Sequence, residues 1–107
     1  MLLGDGADTL NMDDIQFFGA TTIDTAGGGD SVKLEKAGTA GTTKAHASFK
    51  LQLGAGADTL AIGTDAVAND FATFAVKWFA DGGTGANVAT LAVNIFEPFG
   101  HSFKNLP

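Results

Sequence analysis

A short motif, Gly-x-Gly-x-Asx followed by an alternating apolar run, recurs along this chain, and its spacing limits the fold more than any other feature. The copies are Gly4-Asp5-Gly6-Ala7-Asp8 before TLNM, Ala26-Gly27-Gly28-Gly29-Asp30 before SVKL, Gly54-Ala55-Gly56-Ala57-Asp58 before TLAI, and Gly83-Thr84-Gly85-Ala86-Asn87 before VATLAV. The Asx residues stand at 8, 30, 58 and 87, in steps of 22, 28 and 29 residues. One coil of a parallel β-helix, two or three short strands with their turns, takes roughly 20 to 30 residues. The fourth copy is the weakest match: Asn replaces Asp, and its apolar run reads as carrying an insertion before Leu91.

Strand-like runs precede the later copies: TTID (21–24), FKLQL (49–53) and FAVKWFA (74–80), all with β-branched or aromatic residues in near period-two alternation. The alternation predicts two inward-facing sets. Leu10 and Met12, Val32 and Leu34, Leu60 and Ile62, and Leu91 and Val93 form one; Thr21 and Ile23, Phe49 and Leu51, and Trp78 and Ala80 form the other. A helix over 64–80 is the competing reading, set aside because FAVKWFADGG leads into the same glycine corner as FKLQLGAG. Length variation falls in GTAGTTKAHA (38–47) and GTDAVANDFA (63–72), which are read as outward loops. The expected fold is all-β, a parallel β-helix of about four coils over residues 1–93, with a Phe-rich capping or docking tail over 94–107.

Composition narrows the function. The 107 residues suffice for one domain with a core. There is no Cys, so disulfides and thiolate metal sites are excluded. Net charge is −6, with six Lys scattered along the chain and no Arg. Clustered Lys and bidentate Arg would mark a phosphate-binding surface, so no nucleic-acid partner is expected. No apolar run reaches membrane-spanning length and none reads as a signal peptide, so no membrane insertion is expected and the chain reads as a mature product or a piece of something larger. The glycine corners lack the Gly-Lys-Ser/Thr of a phosphate loop.

The GAGADTLAI and GDGADTLNM segments resemble the Gly/Asp-rich repeats of large secreted bacterial surface proteins, which are related in composition to hemolysin-type calcium-binding repeats. The likeness covers most of residues 2–93. It implies an extracellular or cell-surface β-helix, and calcium as the ligand to consider. In the hemolysin type the GGxGxDxLx units follow every nine residues, so that neighbouring Asp residues sandwich the ion. Here the units stand apart and the pairing units are missing.

Two roles are therefore open to Asp8, Asp30 and Asp58. As a carboxylate ladder they would bind calcium, which needs six to eight oxygens. As turn fasteners they would accept hydrogen bonds from backbone N–H groups of their own or the neighbouring turn. Asn87 favours the second role, and no cofactor is then required. His46 and His101 lack a partner at i+4 and read as solvated loop residues. Asp13, Asp14, Asp65 and Asp70 read as surface charge, and no catalytic residue is assigned. Trp78 belongs to the alternating run and reads as core. An exposed Trp78 would instead suit sugar stacking.

The ends bear on partners. Leu2-Leu3 run straight into the first corner with no protective device for a strand edge. Phe96, Phe99 and Phe103 can cover the last coil or dock on another subunit, and Phe17-Phe18 are placed to face a partner. The expected function is a non-enzymatic structural or adhesive module that self-associates or sits among neighbouring coils. A calcium-binding module that folds with the ion, and a carbohydrate-binding or carbohydrate-active β-helix, are the alternatives.

Overall fold

The computed structural model describes residues 1–35, 41–63, 70–91 and 95–106. These hold strands β1 (Thr9–Met12), β2 (Gln16–Phe17), β3 (Thr21–Asp24), β4 (Ser31–Leu34), β5 (Gly41–Ala45), β6 (Phe49–Gln52), β7 (Thr59–Ile62), β8 (Asp70–Phe74), β9 (Trp78–Asp81), β10 (Val88–Leu91), β11 (Ile95–Phe96) and β12 (His101–Lys104), and no helix. The strands form three parallel sheets of four, ordered β1-β4-β7-β10, β2-β5-β8-β11 and β3-β6-β9-β12. The chain visits the sheets in rotation and returns to the first one strand further along, an arrangement compatible with a β-solenoid.

Register follows the repeat. Leu10 lies beside Val32, Val32 beside Leu60, and Leu60 beside Ala89; one pleat on, Met12, Leu34, Ile62 and Leu91 align. The fourth copy therefore carries no insertion, because Val88 follows Asn87 as Thr59 follows Asp58. Ala89 and Leu91 take the inward places expected of Leu91 and Val93, and Val93 lies outside the described residues. The low apolar content of VATLAV hid this register, since an inward Ala carries almost no periodic signal.

The second sheet lies in the segments read as outward loops. GTAGTTKAHA and GTDAVANDFA supply β5 and β8, paired over five residues from Gly41 and Asp70 to Ala45 and Phe74. Their inward side chains include Thr43, Ala45 and Ala72, which are buried but small or polar and so give little alternation. FAVKWFA is likewise split: Phe74 ends β8, exposed Val76 and Lys77 turn the chain, and Trp78 begins β9.

The core is a file of stacked side chains between the sheets. Val32, Leu34, Leu51, Leu53, Leu60, Ile62 and Trp78 are fully buried, each worth about 1.5–3 kcal/mol against exposure. Aromatic rings run through it, Phe17 to Phe49 at 5.2 Å, Phe49 to Phe74 at 5.6 Å and Phe74 to Trp78 at 4.3 Å between centroids. Phe17 thus packs against the core rather than facing a partner, and only Phe18 is exposed.

Within 94–107, β11 and β12 pair with β8 and β9. Phe103 packs edge-on to Trp78 at 5.1 Å and Leu106 is buried, while Phe96 and Phe99 stay exposed.

Candidate functional site

The second, third and fourth glycine corners carry the chain from the third sheet to the first, and the Asx side chain of each bonds to the corner one strand nearer the amino end. The Asp8 amide donates to Asp30 Oδ1 at 2.9 Å, the Asp30 amide to Asp58 Oδ1 at 2.9 Å, and the Asp58 amide to Asn87 Oδ1 at 3.0 Å. Backbone bonds run parallel to this ladder, from the Gly6 amide to the Gly27 carbonyl, Gly28 to Ala55, and Gly56 to Thr84. Such close stacking needs glycine: at Gly56, φ is +143° and a Cβ would overlap the Gly28 carbonyl.

The ladder is buried at Asp30, Asp58 and Asn87 and half-buried at Asp8. Burial pushes the Asp58 carboxyl above its ordinary value; the Asp30 amide bond opposes this, and the Asp30 charge adds to it. Asp81, in the strand entering the last corner, moves the other way. The Gly83 amide donating to its carboxylate lowers it against the opposing effect of burial, with Asn105 and Lys104 helping.

The structure thus brings Asp8, Asp30 and Asp58 into one file: Asp30 and Asp58 each accept a backbone amide through Oδ1, whereas Asp8 joins the ladder through its own amide. One oxygen of each, Oδ2, is buried without a hydrogen-bond partner. Among the described residues, no group of three or more His, Asp or Glu side chains is placed to hold a metal ion.

Other singled-out residues fall elsewhere. Trp78 is core, and its indole N–H donates to Glu97 Oε2 at 2.7 Å. His101 lies in strand β12 rather than a loop, with Nδ1 2.8 Å from Glu97 Oε1. His46 follows β5, stacks on Phe18 with centroids 4.8 Å apart, and bonds Gln16. Asp14 is exposed and Asp13 half-buried, Asp70 opens β8, and Asp65 lies outside the described residues.

Sequence reasoning missed Glu35, which is fully buried and accepts from the Asp14 amide at 2.7 Å and from the Thr43 hydroxyl. It ends a motif run, SVKLE, where an inward Leu is followed by a charge; nothing in that spacing distinguishes it from a solvated residue. Comparison with protein-family models, curated proteins and solved structures finds no match for this chain.

Proposed function

We propose that this chain is a parallel β-helix of about four coils, with Phe103 and Leu106 of its carboxyl-terminal tail packed into the last coil, and that it serves as a non-enzymatic structural or adhesive module of an extracellular or cell-surface protein. The observation that carries this reading is the pair of open ends. Among the described residues, β1 and β2 at one end, and β10, β11 and β12 at the other, each have a single neighbour in their sheets, while the outer edge of β3 is taken by Met1–Leu3 through a parallel bridge between Leu2 and Asp24; both ends thus keep unpaired strand edges in the register that the interior strands already use. A neighbouring coil, from a second copy or from a longer chain, satisfies them. Exposed Leu2, Val88, Phe96 and Phe99 would be covered at the same time. The resemblance of the glycine corners to secreted surface repeats supports the location.

Calcium binding at Asp8, Asp30 and Asp58 is the second reading, favoured by their three buried, unpartnered Oδ2 atoms. Size-exclusion chromatography with light scattering, in EDTA and in millimolar calcium, separates the two. Oligomers in both buffers support the self-associating module. Compaction of an expanded monomer only with calcium supports the ion, and a compact monomer in both overturns both readings.

A further inference from the structure

Three lysines far apart in the sequence, Lys50, Lys77 and Lys104, come together on one face. On the outer face of the third sheet, Phe79 is exposed and lies in register between Lys50 of β6 and Ser102 of β12. The Lys77 ammonium stands 5.9 Å from the centre of the Phe79 ring. Lys104, its side chain 76% exposed, lies one pleat further along β12, with Nζ 3.6 Å from Asp81 Oδ2. A shallow groove of about 380 Å³ runs between Lys50, Phe79, Asp81, Ser102 and Lys104. Three of the chain's six lysines therefore surround one solvent-facing aromatic ring, on a protein whose net charge is −6.

We propose that this face, centred on Phe79 and edged by Lys50, Lys77 and Lys104, binds an acidic polysaccharide, with one sugar ring stacked on Phe79 and the anionic groups of its neighbours on the lysine ammoniums. Charge complementarity selects the partner. An exposed aromatic ring is an apolar platform that the C–H face of a pyranose covers while its hydroxyls stay in water. The surrounding ammoniums add attraction for carboxylate or sulfate. Geometry agrees: the row Lys50, Phe79, Ser102 crosses three strands spaced by about 4.8 Å, close to the advance per sugar in an extended chain, so successive sugars meet successive strands. Duplex nucleic acid fits less well, because its charge is denser, the remaining surface is acidic, and the patch has no guanidinium fork. The site does not depend on self-association.

The test is calorimetric titration of the protein with oligogalacturonate, a sulfated dextran, neutral dextran and a DNA duplex, with variants Phe79→Ala, Phe79→Leu, Lys50→Glu and, on the outer face of β4, Lys33→Glu as a charge-matched control. The expected result is binding of at least one acidic glycan but not neutral dextran, weakened about tenfold or more by Phe79→Ala and by Lys50→Glu and unchanged by Lys33→Glu. Preference for oligogalacturonate assigns carboxylate as the anion, and preference for the dextran sulfate assigns sulfate. If Phe79→Ala does not fold by circular dichroism, Phe79→Leu and Lys50→Glu carry the same comparison. The proposal is overturned if neither acidic glycan binds the folded protein, if Lys33→Glu weakens binding as much as Lys50→Glu, or if DNA binds as tightly as the glycan.

Discussion

Asn87 ends the buried ladder by using both halves of its amide. Its Oδ1 accepts from the Asp58 amide at 3.0 Å, and its Nδ2 donates to the Gly82 carbonyl at 2.7 Å. An Asp at this place could make the first bond but not the second, and would add a buried charge beside Asp58. Asn87→Ala leaves a buried donor and a buried acceptor without their partners and is expected to cost about 2 kcal/mol. Asn87→Asp is expected to cost more at pH 7 than at pH 4. Urea unfolding at the two pH values checks both, and equal losses for Asn87→Asp at both would remove the charge argument.

Asp58 predicts a gain from neutralisation. Because burial raises its folded pKa above the ordinary 3.8, the stability it contributes is present below that value and is lost as pH rises through the folded pKa. Asp58→Asn is therefore expected to be more stable than the parent near pH 7, with the difference shrinking as pH falls toward 3.8. Thermal melting across that range measures it. A destabilised Asp58→Asn at neutral pH would instead point to a cation held by the carboxylate.

Asp81 should behave in the opposite sense. Its lowered pKa means that its contribution is present above 3.8 and is lost as pH falls through the folded value. Asp81→Asn is expected to flatten the acid side of the stability profile. An unchanged profile would show that the Gly83 bond is not linked to folding.

Ala26 occupies a left-handed backbone position, with φ of 65°, where Gly4, Gly54 and Gly83 serve the other corners at 101°, 86° and 69°. A Cβ is disfavoured there, and glycine gives back part of the gain through its unfolded-state entropy. Ala26→Gly is expected to stabilise by about 0.5–1 kcal/mol. A lower melting temperature would reveal packing by the Ala26 methyl that outweighs the strain.

Glu97 holds the last strands to the core through the indole of Trp78, the chain's single tryptophan. Glu97→Ala leaves that N–H unpartnered and is expected to cost about 1–3 kcal/mol, with a red-shifted Trp78 emission as water reaches the ring. Glu97→Gln keeps an acceptor and should restore the emission. Identical spectra in all three proteins would show that β11 and β12 dock without this bond.

The corners and two of the inward rows are legible in residue type and alternation alone. Gly56 must be glycine because its φ is positive and the Gly28 carbonyl lies where a Cβ would be, and such local demands are written in residue type. Leu60 and Ile62, or Phe49 and Leu51, alternate strongly enough that the pleat alone assigns their faces. Packing between distant strands settles what alternation could not carry. The second sheet rests on Thr43, Ala45 and Ala72, whose burial comes from strands on either side rather than from their own hydrophobicity. Ala89 is inward only because Leu60 lies beside it. Whether an Asx oxygen meets an amide, and whether Lys50, Lys77 and Lys104 stand apart or around Phe79, depends on residues 22 to 29 positions apart being stacked at strand spacing. Contacts of that range follow from the register of the sheets, and no local window of the chain contains them.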